Sequence, residues 1–235
     1  MNYIEPEMVL IPEGKVHLGL PSYSKSFNLP HQWQDSIIYV PDFYISRFPI
    51  TRKEYSLFIE DGGDIPADWW RKDLTDNKLP ATGLSWHMAN RYAEWLSEIT
   101  GKRYRLPSSV EWEKAARGGL YGKRFPWGDE SANNRCCYGL QEFDTPSPVG
   151  YYEPNGYELY DMVGNVWEWC SDLYIECAND EPKNSPTGKD PKINRVLRGG
   201  SFMTPDEKYL YCAYIHEDPP DLAHVCLGMR LALSS

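Results

Sequence analysis

The sequence predicts an α+β protein of few, short helices and strands joined by long loops. Three observations carry this reading. The 235 residues include 19 prolines and 18 glycines spread along the chain, which excludes long uninterrupted helices. Helical periodicity is confined to three stretches, and runs rich in β-branched and aromatic residues flank them. With 41% hydrophobic and 14% aromatic residues the chain can bury a substantial core, so disorder is not expected. No repeat, low-complexity tract or linker divides it, and one domain over 1–235 follows.

Taken in order, MVLIP (8–12), KVHLGL (15–20), SIIYV (36–40) and FYISR (43–47) read as strands. A helix follows Thr51, with Glu54 completing a capping box and Gly62 and Gly63 ending it. A second starts near Ser85 and runs through Trp86, Ala89, Tyr92, Ala93, Leu96 and Ile99 to a C-cap at Gly101. RYRL (103–106) reads as a strand, and a short helix follows the Ser108 to Glu111 box with Trp112, Ala115 and Ala116 facing inward. Beyond Gly119 the chain reads as loop and short strand, a length of loop that is uncommon unless it is functional or held by side-chain networks or metal ions.

The 34 acidic and 24 basic side chains give a formal charge of -10, which repels a phosphate backbone or an anionic bilayer; no basic cluster offsets it. Nucleic acid and membrane are therefore not expected as partners. No apolar run is long enough to span a bilayer and the N-terminus lacks the pattern of a secretory signal, so a cytoplasmic location is expected. The six cysteines (Cys136, Cys137, Cys170, Cys177, Cys212 and Cys226) form no C-x-x-C pair and read as free, mostly buried thiols; a Cys170–Cys177 disulfide would need an oxidising environment. The five histidines make no helical metal pair, and no nucleophile elbow, P-loop or dinucleotide fingerprint is present. His216, His224 and Cys226, with Glu217 and Asp218, are the remaining candidates for a mononuclear metal site.

FYISRFPITRKEYSLFI (43–59), TGLSWHMANRYAEWLSEITGKRYRLPSSVEWEKAARGG (82–119), FPWGDE (125–130), PVGYYEPNGYELYDMVGNVWEWCSD (148–172), RVLRGGSF (195–202) and LGMR (227–230) together resemble the formylglycine-generating enzyme, or sulfatase-modifying-factor, superfamily. That superfamily includes ergothioneine-synthase and pyoverdine-maturation type domains. The resemblance implies a C-type-lectin-like fold. It also implies a structural Ca2+ site in which Asn165 and Glu168 supply side-chain oxygens and Val166 a carbonyl, a donor set suited to a hard cation. The alternative is that Asn165 and Glu168 only hydrogen-bond the loop backbone. Trp127, Trp167 and Trp169 read as packing residues.

Formylglycine-generating enzymes carry two copper-binding cysteines shortly after RGGS. Here Thr204 stands at the first position and no pair follows, so no copper and no formylglycine generation are expected. Segment 203–226 reads instead as a recognition surface for a protein or peptide ligand, formed by Tyr209, Tyr211, Tyr214, Ile215, His216, Asp218, Asp221, Leu222, His224, Val225 and Cys226. The variable proteins of diversity-generating retroelements resemble the same fold and vary in the corresponding segment. From Tyr214 onward, all of these residues fall within the set that randomised asparagine codons produce, whereas Met203, Glu207, Lys208 and Glu217 do not. A divergent metal-dependent oxidase acting on a peptide or small molecule is the second expectation. The sequence leaves the oligomeric state open.

Overall fold

The computed structural model describes residues 2–20, 36–140, 144–174 and 193–234. Cys177 lies outside them.

Each helix begins where its capping residue predicts. Thr51 caps α1 (Arg52–Glu60) and Ser108 caps α3 (Ser109–Ala116), in both cases with a reciprocal bond from the glutamate three residues on. Ser85 caps α2 (Trp86–Thr100), which ends on left-handed Gly101. The buried stripe of α2 is Ala89, Tyr92, Ala93 and Leu96, and Tyr92 stacks on Tyr55 of α1 with ring centroids 5.4 Å apart. That packing makes one wall of the core.

The expected early strands form as β1 (Met8–Ile11), β2 (Gly14–Leu18), β3 (Ser36–Val40), β4 (Phe43–Ser46) and β5 (Tyr104–Arg105). Five more follow: β6 (Trp167–Leu173), β7 (Arg195–Arg198), β8 (His216–Asp218), β9 (Leu227–Gly228) and β10 (Ala232–Ser234). One four-stranded sheet runs β1-β4-β10-β5, so the end of the chain is clamped between segments from the first half. A second runs β8-β7-β6-β9, with β6 antiparallel to β7 and parallel to β9; β2 and β3 form a separate hairpin.

Buried charge ties these layers together. Glu113 on α3 is 1% exposed. Its Oε1 accepts from Arg117 (2.6 Å) and from the Gly19 N–H, and its Oε2 accepts from Arg198 of β7 at 2.5 Å. Glu168 on β6 accepts from Arg230 (2.7 Å) and from the Trp112 indole (2.5 Å), while Arg230 also donates to carbonyls of Ser46 and Tyr160. Two glycines permit the close approaches this requires. Gly164 has φ +77 and a Cβ there would lie 2.5 Å from the Cys137 carbonyl oxygen; Gly200 has φ +78 and would meet Leu210 at 2.4 Å.

The irregular second half agrees with the sequence, but segment 203–226 is not wholly surface. His216–Asp218 is a strand paired with β7, and Tyr211, Ile215 and Val225 are buried at 6%, 8% and 8% exposure. Tyr211 packs edge-on against Phe125, and Val225 joins Leu74 and Phe202. The segment passes through the core because its backbone must reach β7, a long-range pairing that local alternation does not reveal.

Glu113→Ala leaves two buried guanidinium groups without their carboxylate and should cost about 3–5 kcal/mol, read as a lower urea midpoint. A loss below about 1 kcal/mol would show that this network contributes little to stability.

Candidate functional site

At the end of the β8-β7-β6-β9 sheet the chain forms a cleft of about 450 Å³, lined by Trp167, Ser201, Met203, Thr204, Pro205, Tyr209, Tyr214, His216, His224 and Cys226. Trp167, the first residue of β6, is held by its N–H to the Cys226 carbonyl (2.8 Å). Its ring is tilted against His216 at 4.9 Å between centroids and against Tyr214 at 6.1 Å; Tyr214 meets Tyr209 edge to face at 5.1 Å. Arg198 Nη1 donates to the Tyr214 carbonyl at 2.7 Å, so the buried ion network also fixes this aromatic wall.

The opposite wall is the turn after β7. Thr204 Oγ1 accepts the Ser201 N–H at 2.9 Å, and the Ser201 hydroxyl accepts the Met203 N–H. Thr204 is thus buried and used in closing its own turn. Across the cleft His224 Nδ1 lies 3.0 Å from Cys226 Sγ, and burial pushes the Cys226 thiol up to about 11. His224 is anchored by its carbonyl, which accepts from Gly83 and Leu227. Asp218 lies 3.5 Å from His216, its carboxyl raised by burial.

Of the recognition residues expected from sequence, the fold brings Tyr209, Tyr214, His216, His224 and Cys226 together, with Asp218 beside His216. Asp221 and Leu222 are exposed but do not line the cleft; Asp221 pairs with His87 at 3.4 Å instead. Tyr211, Ile215 and Val225 belong to the core. The sequence reading missed Ser201, Met203, Thr204 and Pro205 as lining, and assigned Trp167 to packing alone. The tight turn at Gly199–Gly200, both with positive φ, is the signal that could have found them. Among the described residues no three His, Cys, Asp or Glu side chains are grouped as a metal site, although His216, His224 and Cys226 line the same cleft. Cys136, Cys170, Cys212 and Cys226 are free thiols.

On the far side of β6, Asn165 does not present its amide to a cation: Oδ1 accepts the Ser147 N–H (3.1 Å) and Nδ2 donates to the Ser147 carbonyl (3.2 Å). Asn165 also hydrogen-bonds the Asp161 carboxyl. Glu168 differs, because its Oε1 is buried without a hydrogen-bond partner while Oε2 serves Trp112 and Arg230. Asp161, which the sequence reading did not single out, neighbours it. Its carboxyl is pushed up to about 6, chiefly by burial and further by Glu168, and it lines a second cavity of about 340 Å³. Glu168 does not line that cavity, and Arg230, which pairs with Glu168, acts on the Asp161 carboxyl in the opposite sense and lowers it.

A family model described as the sulfatase-modifying factor enzyme 1-like domain matches residues 2–235. The formylglycine-generating enzyme of Streptomyces coelicolor is 36% identical over 205 residues, covering 73% of this chain and 62% of that enzyme. The solved structure of PvdO from Pseudomonas aeruginosa is similar with a TM-score of 0.80 and 26% identity, over 98% of this chain and 95% of that one. Treponema denticola variable protein 1 shares the fold, with a TM-score of 0.79 at 22% identity over 97% and 95% of the two chains. The chain spans 34% to 62% of the length of the curated relatives it matches. No helix among the described residues is long and apolar enough to cross a membrane. With its C-type-lectin-like α+β fold and a match over nearly its whole length, the chain belongs to the sulfatase-modifying factor enzyme 1-like family.

Proposed function

We propose that this protein is a ligand-binding module that uses the aromatic cleft around Trp167 to take up a peptide or protein segment. One observation carries the reading: side chains from three separated segments, at 167, 201–216 and 224–226, converge on one cleft whose walls are fixed by buried bonds. Rigid, amphipathic Tyr and Trp surfaces give contact area at low entropy cost. Formylglycine generation is not supported by the donor set. Thr204 is committed to its turn, and Cys226 is the sole thiol among the described lining residues and is held neutral by burial, so a soft metal would find no thiolate pair. Diversification of every expected position is disfavoured as well, since random replacements at Ile215 and Val225 would disturb the core.

Selection from a phage-displayed random peptide library tests the reading. Enriched peptides should lose about tenfold or more in affinity on Trp167→Ala or Tyr214→Ala, and none on Trp70→Ala, which alters a 73% exposed residue outside the cleft. Peptides indifferent to the cleft substitutions would overturn it. So would conversion of a sulfatase-derived cysteine peptide to its aldehyde, the outcome of the oxidase alternative.

The structural calcium belongs to the same proposal. Asp161 and Glu168, with the Val166 carbonyl, would hold the ion and relieve the repulsion between two buried carboxyls. Millimolar Ca2+ should raise the Tm of the wild type by several degrees and leave Asp161→Asn unchanged. Equal shifts in both proteins would remove Asp161 from the site.

A further inference from the structure

The chemistry of the cleft narrows the class of ligand it accepts. Among the described residues that line it there is no lysine or arginine, and the chain as a whole carries a net charge of -10. Three aromatic rings line it, with Tyr214 in the middle: its centroid lies 6.1 Å from that of Trp167, tilted, and 5.1 Å from that of Tyr209, edge to face. Rings set at such angles cannot all stack on one planar ligand. They can surround a compact group with their electron-rich faces, which is the arrangement that attracts ammonium ions. One of these rings already carries an ammonium: Lys208 Nζ, paired with Asp206 at 3.1 Å, lies 4.8 Å from the centroid of Tyr209, an internal cation that a ligand cation would have to displace. The carboxylate of Asp218 sits beside His216 at the same end of the sheet and supplies negative charge at the margin.

We propose that the cleft selects an organic cation, a quaternary or protonated ammonium group seated between Trp167, Tyr209 and Tyr214. This rests on the ligand-binding reading above and deepens it. Two sources share that chemistry: a small quaternary ammonium compound, and the side chain of a lysine in a peptide partner.

Calorimetric titration of the intact protein separates them. The probes are choline, the uncharged tert-butyl isostere of choline, and N-acetyl-lysinamide. Choline or the lysinamide should bind at least about tenfold more tightly than the isostere, the contrast expected of a desolvated cation on aromatic faces. Tighter choline assigns a small-molecule ligand, and tighter lysinamide a lysine side chain. Tyr209→Leu, which keeps an apolar wall on a half-buried residue, should weaken the cation about tenfold and leave the isostere unchanged; Trp167→Ala should do the same more severely. Equal binding of choline and its isostere would overturn the cation assignment while leaving an apolar peptide cleft in place. Failure of both cations to bind would also overturn it, and peptide selection then decides independently whether the cleft binds anything.

Discussion

The carboxylate of Glu113 is the constraint on which the rest of the structure depends. It holds Arg117 and Arg198 in a water-poor interior, where each guanidinium would be costly if left unpaired. Through Arg198 the same charge reaches the Tyr214 carbonyl, and through Gly19 it reaches the chain just after β2. A single side chain on a short helix therefore links the N-terminal hairpin, the central sheet and the aromatic wall of the cleft. In a loop-rich protein few ladder hydrogen bonds are available to do this, and charge-assisted bonds between irregular segments take their place.

A second buried pair, Glu168 and Arg230, does the equivalent work on the other face of β6. Successive residues of that strand point to opposite sides. Trp167 faces the cleft and Glu168 faces the Trp112, Arg230 and Asp161 group. The aromatic cleft and the Glu168–Arg230 pair are thus on two faces of one strand.

The cleft at the RGGS turn is walled by a turn that needs nothing beyond its own side chains to close. The turn is closed by its own hydroxyls: Ser201 and Thr204 satisfy each other and the local N–H groups. What lines the cavity beyond them comes from Trp167 and from residues 203–226, whose side chains divide, without regular alternation, into an outward set and a buried inward set. Only the outward set is free to determine what is bound, because the inward set is packed to interior density.

Much of this protein was determined by the sequence by itself. Capping boxes at Thr51 and Ser108, the Ser85 to Gly101 helix, the five early strands and the family motifs are local patterns, and local bonding suffices to produce them. Five of the cleft residues, Tyr209, Tyr214, His216, His224 and Cys226, were legible as an unusual aromatic and imidazole segment. Only the tertiary structure decided which residues of that segment are core. It also decided that Asp221 turns to His87, that Asn165 is consumed by Ser147, and that Asp161 neighbours Glu168. Glu113 and Arg117 have the i,i+4 spacing common on exposed helix faces, yet both are buried. The physical reason is the same in each case. Burial and pairing are set by contacts between segments far apart in the chain, here 185 residues between Leu231 and Ser46, and no local pattern encodes a partner at that distance.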